Sequence, residues 1–156
     1  MNRNQKKFKE IKDFLIEKLG DKIDYSKEED GNEYLNIKNS SFWISNTLGE
    51  LVVGYGFIHK HFSEEYNNLD EGIFQTFDLL TNRIKTTNYI KGNTIFKTSI
   101  EIEHSNSNSV NFGTSSVIFY PFWKKTQIET SYDEKILDKN ESENRVNIIL
   151  ETEYNK

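Results

Sequence analysis

The sequence contains no cysteine, no alanine and only one proline among its 156 residues. Without thiols there is no disulfide framework, no thiolate zinc cage and no cysteine nucleophile. Because chains without disulfides are typical of reducing compartments, we predict a cytoplasmic protein. The lack of alanine beside abundant Asn, Ile, Lys and Glu indicates the codon bias of an AT-rich genome, which favours a bacterial source.

Long apolar runs are also missing. No stretch approaches the ~18 consecutive apolar residues typical of a membrane-spanning helix. The first 14 residues interleave basic and acidic side chains and contain no apolar core of signal-peptide length. We therefore expect neither export nor a membrane partner.

Charge is distributed unevenly along the chain, although its net value is only -5. Residues 23–80 carry 11 acidic and 3 basic side chains, whereas residues 81–125 carry 6 basic and 2 acidic ones. A nucleic-acid binder needs a cationic stripe to displace counterions from phosphates. The basic residues near the N-terminus are interleaved with acidic ones, as on a solvated helix face, so no direct nucleic-acid binding is expected.

Apolar periodicity predicts two helices, over residues 4–19 and 69–80. Gly20 stands where the first helix is expected to stop, and Asn68 with Glu71 resembles a capping box for the second. Strand patterns occupy most of the remaining chain. The predicted strands are 22–26, 34–38, 42–47, 51–62, 84–90, 94–103, 110–113, 117–123, 125–132 and 145–154. This order lacks the regular alternation of a parallel sheet. It favours one α+β domain over residues 1–156, with a largely antiparallel twisted sheet and two main helices packed on one face.

The strand predicted over residues 51–62 ends in His59-Lys60-His61. Alternation places Tyr55, His59 and His61 on one face, and the glycines on the other face leave room for a helix to pack closely. Two His at positions i and i+2 project about 6.6 Å apart, within reach of one metal ion. A third ligand would come from His104 or Glu64. The plainer interpretation is a pair of half-buried His at a strand end.

Acidic side chains cluster at residues 28–30, 64–65 and 70–71. Acid/base catalysis needs one carboxylate desolvated, whereas these clusters fall in turns and at a helix start, where water screens them. Their summed charge suits the attraction of a cationic protein surface. Tyr66, between an acidic and a polar neighbour, is the aromatic residue most expected to be exposed.

Motifs for nucleotide or covalent chemistry are missing. The sequence has no glycine-rich phosphate loop, Gly-x-Ser-x-Gly elbow or zincin helix. No cofactor is therefore expected. A Ser-His-Asp triad stays open, since its members need not be neighbours in sequence.

Residues 50–62, Glu-Leu-Val-Val-Gly-Tyr-Gly-Phe-Ile-His-Lys-His-Phe, together with the helix predicted at 69–80, resemble small cytosolic bacterial immunity proteins of polymorphic toxin systems. This resemblance implies a non-enzymatic protein that binds and neutralises a toxin domain. The expected partner is a protein, with a basic toxin domain as the main candidate. The candidate partner-binding residues are Glu28, Glu29, Asp30, Tyr55, His59, His61, Glu64, Glu65, Tyr66 and Asp70.

Two alternatives stay open at the level of sequence. One is a small metal-dependent hydrolase or ligand-binding enzyme centred on His59, His61 and His104. The other is a homo-oligomeric module joined through its aromatic strands. The oligomeric state does not follow from the sequence.

Overall fold

The computed structural model describes residues 1–106 and 108–152. These residues form an α+β fold with two antiparallel sheets, which confirms the predicted fold class. The helices are α1 (Arg3–Leu19), α2 (Leu69–Thr81) and α3 (Lys139–Glu151). The strands are β1 (Ile23–Lys27), β2 (Glu33–Ile37), β3 (Phe42–Thr47), β4 (Glu50–Tyr55), β5 (Ile58–Phe62), β6 (Arg83–Lys91), β7 (Thr94–Glu103), β8 (Ser109–Ser116) and β9 (Thr126–Asp133). Within the described ranges, no helix is both long and apolar enough to cross a membrane.

Helix α1 begins one residue before the predicted range and ends at Gly20 as predicted. Asn2 caps the helix by accepting from the backbone N–H of Gln5, whose side chain accepts from Asn2 in return. Gly20, with a φ of +54°, ends it. Helix α2 also forms, but the predicted cap is wrong, because the Asn68 side chain accepts from the N–H of Ser63 and not from the helix.

Strands β1 to β5 form an antiparallel meander in sequence order. The predicted single strand over 51–62 is wrong, because the chain reverses at Gly56 and Phe57 and divides it into β4 and β5. In the resulting register Val52 pairs with His61 and Gly54 with His59. Tyr55 therefore lies on the sheet face opposite to both His, and not on the same face as expected.

The second sheet has the strand order β8-β7-β6-β9. Strands β6 and β7, predicted over residues 84–90 and 94–103, form a hairpin around residues 91–93. Since β8 and β9 lie at opposite edges, the chain between them must cross two strands, a distance of roughly 14 Å. Residues 117–125 make this crossing, so the strand predicted at 117–123 is wrong.

Residues 145–151 are helical, and the strand predicted over 145–154 is therefore wrong as far as the structure describes it; residues 153–154 lie outside the described part of the chain. The charged residues 139–144 form the first turns of the same helix, α3. Ser142, Val146 and Ile149 face inward at helical spacing, and α3 packs on α2. The fully buried Lys7 of α1 donates to the carbonyl of Ile149 and is 3.3 Å from Glu10.

One hydrophobic cluster includes buried side chains from all three helices and both sheets. Helices α1 and α2 pack on the same side of the first sheet, over Ile44 and Val53. The two sheets meet where Ile58 packs on Gly113, at which an added Cβ would lie 2.4 Å from the Ile58 methyl. The opposite face of the first sheet carries no helix among the described residues.

Candidate functional site

Three acidic segments lie at the same end of the first sheet. In an antiparallel meander the β1–β2 turn, the β3–β4 turn and the C-terminal end of β5 lie at the same end of the strands. Residues 28–32, 48–50 and 64–66 are therefore neighbours, although they are far apart in sequence. We call these three segments the acidic end. Apart from the turn glycines, its side chains are polar or acidic, with Leu48 and Tyr66 as the exceptions.

Hydrogen bonds hold the three segments together. The N–H of Leu48 donates to the side-chain oxygen of Asn32 at 3.0 Å, which joins the first two turns. Asn4, buried at the start of α1, donates to the carbonyl of Gly49 at 2.6 Å and accepts from the N–H of Glu64 at 3.0 Å. It also donates to the Ser63 hydroxyl at 3.0 Å. Because a buried side chain fixes the arrangement, the acidic end is preorganised.

The predicted carboxylates are placed as follows. Glu28, Glu29 and Asp30 are exposed in the β1–β2 turn. Glu64 and Glu65 are exposed in a short 3-10 helix, Glu64–Tyr66, that follows β5. Asp70 lies at the start of α2, just beyond this segment, and Arg3 pairs with it at 3.1 Å. Because the positive charge of Arg3 offsets the negative charge of the Asp70 carboxylate, Asp70 adds little to the negative potential of the acidic end.

Glu50 at the start of β4 is a functional candidate that the sequence interpretation missed. Its carboxylate accepts from the hydroxyl of Tyr66 and lies 2.7 Å from Nδ1 of His61. The hydrogen bonds with Tyr66 and His61 lower the pKa of Glu50, and the same contact raises the pKa of Tyr66. Tyr66 is 55% exposed, as its neighbours predicted, and Glu50 fixes its position.

Leu48 is the second missed candidate. It is 90% exposed and has a φ of +52°, followed by Gly49 at +81°. Positive φ at both central residues is typical of type I′ hairpin turns, which favour Asn-Gly. A leucine with positive φ has a strained backbone, and its apolar side chain is exposed to water without any burial in return. Strained backbone conformations are frequent at functional sites. The sequence signal that could have identified this site is a Leu-Gly pair in a two-residue hairpin loop, where Asn-Gly is usual.

The open face of the first sheet, which carries no helix, continues from the acidic end. Trp43 lies flat across Gly54, where an added Cβ would be 2.1 Å from the indole. The indole N–H donates to the carbonyl of Gly56 at 2.9 Å, and its ring centroid lies 5.7 Å from that of His59. The bare glycine therefore accommodates an aromatic ring from the neighbouring strand, and not a helix as expected.

The three His do not converge. His59 and His61 are exposed side by side on β5, with ring centroids 5.3 Å apart. His104 follows β7 and its Nε2 lies 2.8 Å from the carboxylate of Asp78 on α2. In the part of the chain that the structure describes, no group of three or more His, Asp or Glu side chains is placed to hold a metal ion. The alternative metal site of His59, His61 and His104 is therefore not assembled.

Tyr55, one of the candidate partner-binding residues, is buried and does not lie on the surface. It is 2% exposed in the hydrophobic cluster, and its hydroxyl donates to Asp133 of β9. Burial, together with this hydrogen bond, raises the pKa of Tyr55. The side chain ties the first sheet to the second and offers no surface to another molecule.

Comparison of the chain with protein-family models, with curated proteins and with solved structures gives no match.

Proposed function

We propose that the chain is a non-enzymatic protein-binding module that neutralises a toxin, and that it receives a basic toxin domain on the acidic end. The observation that carries the proposal is the convergence of three acidic segments at one end of the first sheet, joined by hydrogen bonds of the Asn4 and Asn32 side chains. A surface of this kind attracts a cationic partner and orients it before contact.

Contacts at short range would come from two side chains of the acidic end. Tyr66 is half exposed with its hydroxyl fixed, so its ring loses little freedom on binding. Aromatic residues of this kind are frequent binding hot spots. Leu48 adds an apolar contact in the middle of the charged surface. The exposed imidazoles of His59 and His61 extend the same surface along the open face.

The test uses the protein encoded by the gene adjacent to that of this chain, since a toxin and its immunity protein are commonly encoded side by side. The association rate is measured by stopped flow at increasing NaCl concentration, for the native chain and for Glu64→Lys/Glu65→Lys. Growth of cells that express the adjacent gene, with and without this chain, reports neutralisation. We expect protection of growth and an association rate at least about tenfold lower in the double variant.

The matched control is Glu129→Lys/Glu143→Lys, which changes the net charge equally on exposed residues of β9 and α3. Its association rate should stay within about twofold of the native rate. Equal losses in the two double variants would mean that net charge alone acts and would refute the acidic end as the binding site. An association rate indifferent to salt would remove the electrostatic mechanism.

A further inference from the structure

The opposite end of the molecule is apolar and cationic. Residues 117–125 cross the end of the second sheet and carry the exposed side chains of Ile118, Phe119, Phe122 and Trp123. Phe119 is 92% exposed. Phe57, 97% exposed in the β4–β5 turn, lines a cleft of about 500 Å³ together with Val117, the first residue of this crossing. We call residues 117–125 the crossing loop.

The crossing loop is held from beneath. Tyr120 stacks on Phe96 of β7, with ring centroids 4.6 Å apart and planes at 21°. Pro121 lies against Gly92 of the β6–β7 turn, at which an added Cβ would be 3.4 Å from the proline ring. The exposed apolar side chains of the crossing loop are therefore carried by a backbone that is packed against the second sheet.

Several backbone groups of the crossing loop are hydrogen-bonded within the protein. The N–H of Val117 donates to Phe96 at 2.9 Å, and that of Lys124 to Pro121 at 3.0 Å. The ammonium group of Lys91 donates to the carbonyls of Phe122 and Lys124 at 3.0 and 3.1 Å. These paired groups lose little on leaving water, which favours insertion of the neighbouring side chains into a lipid interface.

Charge at this end has one sign. Residues 86–100 and 104–128 contain no Asp or Glu, whereas Lys91, Lys97, Lys124 and Lys125 lie in or beside the crossing loop. Trp and Phe flanked by Lys match the residues that anchor proteins at membrane surfaces, where the rings enter the interface and the ammonium groups meet anionic headgroups.

We propose that the crossing loop docks on a lipid bilayer with anionic headgroups, inserting Ile118, Phe119, Phe122 and Trp123. The charge of this end selects the occupant, because Lys124 and Lys125 lie beside the exposed aromatic rings and no acidic residue lies within 104–128, which suits anionic headgroups. The sequence-based expectation of no membrane partner rested on the lack of a spanning segment, and docking at the surface needs none. The proposal is independent of the toxin-binding role of the acidic end.

The experiment measures co-sedimentation of the full chain with phosphatidylcholine vesicles, with and without phosphatidylglycerol. Binding to the anionic vesicles, together with a blue shift of tryptophan emission, is the expected result. Lys124→Glu/Lys125→Glu should weaken binding by at least about 20-fold. Phe119→Ser/Trp123→Ser should weaken it at least tenfold. Phe74→Ser, which removes an exposed Phe of α2, is the control and should leave binding unchanged.

Three outcomes would overturn the proposal. The first is a failure of the native chain to sediment with anionic vesicles. The second is equal binding to vesicles with and without phosphatidylglycerol, which would refute the charge-based part. The third is a dimeric mass in light scattering that becomes monomeric in Phe119→Ser/Trp123→Ser, which would assign the crossing loop to contact with a second copy. Circular dichroism of each variant confirms that it is folded.

Discussion

Substitution of Gly54 by alanine tests the packing of the open face. An added Cβ would lie 2.1 Å from the nearest carbon of the Trp43 indole and 2.5 Å from its nitrogen. Both atoms belong to a rigid ring, and the strand backbone beneath Gly54 is fixed by pairing on both sides. The indole must therefore move away from the sheet.

The cost follows from three contributions. Overpacking of this kind lowers stability by about 1–3 kcal/mol. Displacement of the indole also removes its hydrogen bond to the carbonyl of Gly56, worth about 1 kcal/mol. Replacing glycine by alanine within a strand returns about 0.5–1 kcal/mol, because the unfolded chain becomes less flexible. We expect Gly54→Ala to lower the free energy of unfolding by about 1–3.5 kcal/mol.

A double-mutant cycle isolates the contact between the two residues. Urea denaturation followed by circular dichroism gives the free energy of unfolding for the native chain, Gly54→Ala, Trp43→Ala and the double variant. Once the indole is absent, Gly54→Ala should be neutral or stabilising. A loss of similar size with and without the indole would refute the packing described here, and so would a native-like stability of Gly54→Ala.

Three further substitutions test other parts of the structure. Leu48→Asn should raise the free energy of unfolding by about 1 kcal/mol in urea denaturation, since asparagine tolerates positive φ, and should nonetheless weaken binding of the proposed toxin domain. Lys7→Ala empties a fully buried site and removes a donor to α3, so it should lower that free energy by about 2–4 kcal/mol, while Lys9→Ala on the exposed side of α1 should change it by less than about 0.5 kcal/mol. Tyr66→Phe should raise the pKa of Glu50, which carbon-13 NMR of the carboxyl group measures. Because that pKa is lowered in the folded chain, ionised Glu50 stabilises the fold above the unfolded value of about 4.3 and loses this effect as the pH falls through the folded value; the acid side of the stability profile should be shallower in Tyr66→Phe.

The sequence predicted those helices and strands whose start, end and buried face are encoded by residues close together in the chain. Helix α1 carries its cap, its apolar face and its terminal glycine within its own residues, and the β6–β7 hairpin carries its turn signal. Helix α3 was mistaken for a strand because Val146, Ile148 and Ile149 favour strands locally. Its helical state depends on packing against α2 and on the donor from Lys7, and neither is visible in the sequence nearby.

The acidic end was predictable only in part. The acidic clusters at residues 28–30 and 64–65 could be read directly, whereas Glu50 of the third segment was missed. Their convergence depends on the turn at Gly56 and Phe57, which divides β4 from β5 and returns residues 64–66 to the end of the sheet that bears the other two segments. The same missed turn explains the misplacement of Tyr55. The crossing loop was mistaken for a strand because its apolar residues suggest burial, whereas the strand order of the second sheet forces them over its end.

Hydrogen–deuterium exchange of the chain, alone and in complex with the product of the adjacent gene, tests whether the acidic end binds a basic toxin domain. We expect slower exchange in the turns at residues 28–32 and 48–50 and in the segment at 64–66 of the complex. Protection confined to the crossing loop or to α3, with those three segments unchanged, would contradict this proposal.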